Sequence, residues 1–103
     1  MASVRLRTIG MSYLVEGLNV PGLDGDRLGR ELLTRYGPAA AVIGEKADPP
    51  TDLEALLIDR RCESWDAFRN WLESRIQEQG FGSTRWEELD SGRSAALHFE
   101  SDS

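Results

Sequence analysis

A chain of 103 residues, 40% of them hydrophobic and without long polar tracts, reads as one globular domain (1–103) that buries roughly 60–70% of its unfolded surface. Its formal net charge of −6 lies wholly in the second half: residues 1–51 carry six acids against six bases, and residues 52–103 carry twelve acids against six arginines. A negative body repels phosphate backbones and anionic lipid, so direct nucleic-acid and membrane binding are disfavoured, and no apolar run approaches the ~20 residues of a membrane span.

Ser3 to Val15 alternates as a half-buried strand, with Val4 and Leu6 on one face and Arg5 and Arg7 on the other. After Thr8 the phase slips by one residue around Gly10, and Ile9, Met11, Tyr13 and Val15 take over the apolar series. The slip predicts either one bulged strand or two short strands joined there. The start, MASVRLRTIG, lacks the apolar core and small-residue cleavage site of a signal peptide, so a cytoplasmic protein is expected.

Glu16 to Gly25 is a loop punctuated by glycines and a proline. Asp24 or Asp26 then caps a helix over Asp26 to Tyr36, with Leu28, Leu32, Leu33 and Tyr36 as its apolar face and Gly37–Pro38 as its stop. Ala39 to Gly44 is a wholly apolar run that fits a strand covered on at least one face, and EKADPP after it is a turn.

Thr51 to Arg61 is ambiguous. Thr51 and Glu54 are spaced as a capping box, and Leu53, Leu56 and Leu57 recur at helical spacing. The apolar block ALLI is nevertheless compact and leads straight into the next helix start, which favours a buried strand.

That next helix spans Ser64 to Phe81. Ser64 is its N-cap, Asp66 complements the positive end of its dipole, and Gly80 with Phe81 folding back on Ile76 forms its stop. Trp65, Phe68, Leu72 and Ile76 make one apolar stripe. Gly82 to Gly92 reads as irregular, with at most one helical turn in TRWEELD. Ser94 to Glu100 alternates again, Ala95, Leu97 and Phe99 inward and Ala96, His98 and Glu100 outward.

The resulting order, βαββαβ, is that of the ferredoxin-like sandwich: an α+β fold with two helices on one face of a four-stranded antiparallel sheet. The resemblance is one of element order and carries no family motif. It implies an open sheet face bearing Arg5, Arg7 and His98.

Candidate chemistry is sparse. Cys62 precedes a helix N-terminus and is flanked by Arg60 and Arg61, which would favour a thiolate, but a nucleophile needs a base, and His98 has no reason to meet it. One cysteine and one histidine do not make a zinc site. Asp24 and Asp26 superficially resemble a calcium loop, yet Leu28 and Arg35 occupy ligand positions, so they are read as caps. Gly22, Gly25 and Gly29 lack phosphate-loop spacing and are read as turn residues. No catalytic, metal or cofactor site is expected.

Interaction is the better lead. Trp71, flanked by Arg75, and Trp86 could cap the core edge or anchor a partner protein. The reading is therefore a non-enzymatic protein that binds a protein partner or itself, as a homo-oligomer, through the open face or the Trp71 edge. Exchange of Arg5 and Arg7 for glutamate is expected to abolish assembly. The alternative is an acidic inhibitor in which Glu87, Glu88 and Asp90, with Glu100 and Asp102, imitate a phosphate backbone.

Overall fold

Gly10 holds a φ of 56°, a left-handed conformation that glycine adopts at no steric cost, and there the first alternating stretch reverses direction. A computed structural model describes residues 2–44 and 53–101. In it the stretch is a hairpin of β1 (Ala2–Ile9) and β2 (Ser12–Glu16), closed by the Ile9–Ser12 pair. Two short strands, rather than one bulged strand, account for the phase slip.

The remaining elements are α1 (Gly25–Tyr36), a 3-10 turn over Gly37–Ala39, β3 (Ala40–Gly44), β4 (Leu53–Asp59), α2 (Trp65–Glu78), β5 (Phe81–Asp90) and β6 (Ser94–Ser101). They build one six-stranded sheet, order β3-β4-β2-β1-β6-β5, antiparallel at every pairing. This overturns the four-stranded ferredoxin-like sandwich. One extra strand arises at Gly10, and the other is β5, which the sequence pattern hides as an irregular stretch. β5 is an edge strand whose register shifts between Gly82 and Arg85 and again between Glu88 and Asp90, with Ser83 at a φ of 52° in the first irregularity. Each shift breaks the two-residue periodicity by which a strand is recognised. Residues 51–61 resolve as strand β4. The turn expected over EKADPP, together with Thr51 and Asp102, lies outside the described residues.

Both helices pack on the same face of the sheet. Leu28 and Leu32 of α1 and Phe68, Leu72 and Ile76 of α2 are fully buried against Val4, Leu6, Val15, Leu56, Ile58, Leu97 and Phe99. α1 lies over β3 and β4, and α2 reaches β5. Gly29 sits buried inside α1 rather than in a turn: a Cβ there would stand 3.3 Å from Val42 Cγ2, so glycine lets the helix settle on the edge strand. Leu33, expected on the apolar face, is 43% exposed because α1 covers the outermost strands and no described element lies beyond them.

The helix ends follow local chemistry. Asp24 is the N-cap of α1, its Oδ1 accepting from the Arg27 N–H at 3.0 Å, and Ser64 Oγ accepts from the Ala67 N–H at 3.1 Å at the start of α2. Gly80, at a φ of 93°, carries the chain from α2 into β5.

Candidate functional site

Strand alternation sends every second side chain to the sheet face that the helices leave bare. On β1 these are Ser3, Arg5 and Arg7, on β2 Ser12, Leu14 and Glu16, and on β4 Ala55, Leu57 and Asp59. β6 contributes Ala96 and His98, β5 Arg85 and Glu87, and β3 Ala41 and Ile43. The face divides into two halves. Leu14 sits opposite Leu57, with Ile43 opposite Ala55 beside them, and this half is apolar. The half over β1, β6 and β5 is charged.

Within the charged half, Arg7 Nε donates to Glu16 Oε1 at 2.6 Å, although Glu16 stands directly opposite Arg5. The pair is diagonal, and it leaves Arg5 in no ion pair among the described residues. Arg5 rims a shallow concavity of about 300 Å³ with Ser3, Glu16, Gly17 and Ala96. His98 Nε2 pairs with Glu87 Oε1 at 2.8 Å, while Arg85, across from His98, is in no ion pair among the described residues. Leu14, Leu57, Ile43 and Arg85 were missed as surface residues. The leucines in YLV and LLI, which fall out of phase with the buried Tyr13, Val15, Leu56 and Ile58, carry the signal.

Trp71 lies on the other side of the molecule, in the groove between the helices. It stacks on Phe68 at 5.8 Å and meets Tyr36 of α1 edge-on at 5.6 Å, so its ring closes the core between α1 and α2. The groove beside it, about 440 Å³, is lined by Glu31, Thr34, Arg35, Trp71 and Arg75. Trp71 and Arg75 thus line the same groove. Arg75 is already engaged, donating to Glu31 at 3.2 Å and to Glu78 at 2.8 Å. Arg35 donates to Glu63 at 3.4 Å, as does the Tyr36 hydroxyl at 3.3 Å.

Trp86 is on the opposite flank of α2. Its Nε1 donates to Glu73 at 3.3 Å and the Arg69 guanidinium lies over its ring, 4.5 Å from the centroid. The three acids of β5 separate for a geometric reason. Consecutive strand residues point to opposite faces, so Glu87 meets His98 on the bare face while Glu88 is bound by Arg69 on the helix face. Asp90 stands across from Ser94 near the hairpin end. They do not form one row.

Cys62 and His98 are not brought together, since Cys62 follows β4 and His98 is on β6, three places along the sheet. The exposed Cys62 Sγ donates to the Asp59 carbonyl at 2.8 Å. Partial burial first, then the charges of Asp59 and Glu63, push its thiol above the ordinary value, which is opposite to nucleophile activation. Among the described residues no cluster of three or more histidine, cysteine or acidic side chains could hold a metal ion, and no helix is long and apolar enough to cross a membrane. Comparison with protein-family models, curated proteins and solved structures finds no match.

Proposed function

We propose that the protein acts by binding another protein, or a second copy of itself, on the bare face of its sheet, without catalysis of its own. The observation that supports this most is the layout of that face. An apolar half built on Leu14, Leu57 and Ile43 adjoins a polar half in which Arg5 and Arg85 are in no ion pair among the described residues. Ile43 is 39% exposed in the unbound chain. An apolar centre with unpaired arginines at its border is the usual composition of a protein-binding patch. The net charge of −6 favours a protein over a phosphate-rich partner. The acidic-mimicry alternative rests on that charge alone, because Glu87 and Glu88 are divided between faces and each is paired.

The test is the double variant Arg5→Glu/Leu57→Glu, with Arg7 left intact because it holds Glu16. Light scattering over a concentration series gives the oligomeric mass, and capture by the tagged protein gives the retained partners. The variant should keep the wild-type circular dichroism and melting temperature while losing self-association or its partner. Retention of both the wild-type mass and the wild-type partner set would overturn the proposal, as would a wild type that is monomeric and captures nothing.

A further inference from the structure

At one end of the sheet the β1–β2 and β5–β6 hairpin tips flank a cleft of about 330 Å³ lined by Thr8, Gly10, Arg60, Gly92 and Arg93. Its two arginines come from distant parts of the chain, and backbone hydrogen bonds carry them there. The Arg60 N–H donates to the Met11 carbonyl at 2.8 Å, and the Thr8 N–H donates to the Arg93 carbonyl at 2.7 Å. We propose that this cleft binds the carboxylate of an acidic peptide segment whose neighbouring side chains are apolar.

Three observations point to that ligand. Arg60 and Arg93 are in no ion pair among the described residues, in contrast to Arg61, which is held by Asp59 at 2.5 Å. Two arginines lining one cleft suit a planar oxyanion, which a guanidinium grips through paired N–H donors. Thr8 lines the cleft, and its hydroxyl is buried with no hydrogen-bond partner in the structure, a polar group left unused beside the two arginines. Ile9 at 46% and Met11 at 49% exposure flank Gly10 in the first hairpin, and Leu89 at 48% lies next to the end of β5, together half of the large hydrophobic side chains exposed among the described residues. The Arg60 guanidinium also touches Met11 Sδ at 3.7 Å, so charged and apolar contacts adjoin.

The class of ligand follows from charge. A nucleic acid or an anionic bilayer needs a run of cations, on the order of four or more, to offset its own charge. This cleft supplies two on a body of net charge −6, enough for one carboxylate. The inference shares with the preceding proposal only that the ligand is a peptide; it uses different residues.

The experiment is a titration of the full-length 15N-labelled protein with acetyl-Leu-Glu-Leu-amide, followed by amide and arginine Nε shifts, with acetyl-Leu-Gln-Leu-amide as control. Shifts should be confined to Thr8, Gly10, Arg60, Gly92, Arg93 and their neighbours. The double variant Arg60→Gln/Arg93→Gln should weaken binding roughly 10- to 100-fold, the scale of charge-assisted hydrogen bonds, and so should the glutamine peptide. Thr8→Val should weaken it by less, and Arg5→Glu/Leu57→Glu should leave it unchanged, which separates failure here from failure of the sheet-face reading. Equal binding of the glutamine peptide, shifts elsewhere, undiminished affinity in the arginine variant, or no shift at all would overturn the proposal. Sedimentation with phosphatidylserine vesicles while the peptide leaves the spectrum unchanged would overturn it in favour of a membrane.

Discussion

The carboxamide of Gln79 closes two hydrogen bonds on the backbone of Asp24. Its Oε1 accepts from the Asp24 N–H at 2.7 Å and its Nε2 donates to the Asp24 carbonyl at 3.1 Å. Asp24 caps α1 and Gln79 ends α2, so one side chain joins the two helix termini across 55 residues of chain. Replacement Gln79→Ala should therefore cost about 1–2 kcal/mol, two neutral hydrogen bonds at an exposed site. Gln79→Glu keeps the acceptor but removes the donor and sets a carboxylate against the Asp24 carbonyl, so it should not restore stability. Urea unfolding of the three proteins decides; equal midpoints for wild type and Gln79→Ala would show the clamp to be idle.

Arg69 ties the edge strand β5 to α2. Its guanidinium covers the Trp86 ring, lies 5.9 Å from that of Trp65, and binds Glu88, while Trp86 Nε1 reaches Glu73. Arg69→Ala should destabilise by about 1 kcal/mol, mostly through lost stacking, since the Glu88 partner of its ion pair is 49% exposed and screened by water. Arg69→Lys should recover only part, because an ammonium cannot stack as a plane. Tryptophan emission should shift to the red in the alanine variant as Trp86 gains water. An unshifted emission with unchanged stability would argue against this role.

Asp59 accepts from Arg61 at the guanidinium and at the backbone N–H, at 2.9 Å for the latter, and these bonds hold its carboxyl at about 2, below its ordinary 3.8. A carboxylate lowered on folding contributes stability that is present above its unfolded value and is lost as pH falls through its folded value, here between about pH 4 and 2. Arg61→Gln should return the Asp59 titration toward 3.8, as followed by side-chain carboxyl NMR. A titration that stays near 2 in the variant would assign the shift to other groups.

Cys62 is exposed but should react slowly, because its thiol is raised by partial burial and by the nearby Asp59 and Glu63 charges. Iodoacetamide at pH 8 should modify it more slowly than it modifies glutathione, and Asp59→Asn should speed the reaction. A rate above that of glutathione would mean an activated thiol and would reopen the question of a catalytic cysteine.

How much of this was legible in the chain depends on whether the signal is local. The α2 helix is readable from Ser64 to Gly80, since a cap hydroxyl, a 3.6-residue apolar period and a left-handed glycine all act within a few residues of one another. β6 is readable for the same reason, its inward Ala95, Leu97 and Phe99 alternating without interruption. β5 is not, because two register shifts reset its phase and its edge position removes the need for apolar residues on both faces.

The sequence by itself determined both helices and the Ser64 cap, a break in strand phase at Gly10, the alternation that puts Arg5 and Arg7 opposite Val4 and Leu6, and the concentration of negative charge in the second half. The tertiary structure alone decided that six strands share one sheet and that Leu14 faces Leu57 on its bare side. It alone put Arg60 and Arg93 on either side of one cleft. Periodicity and capping are fixed by neighbours along the chain, whereas strand order and cross-strand partners depend on which distant apolar faces meet in the core, and that choice is made only when the whole chain packs.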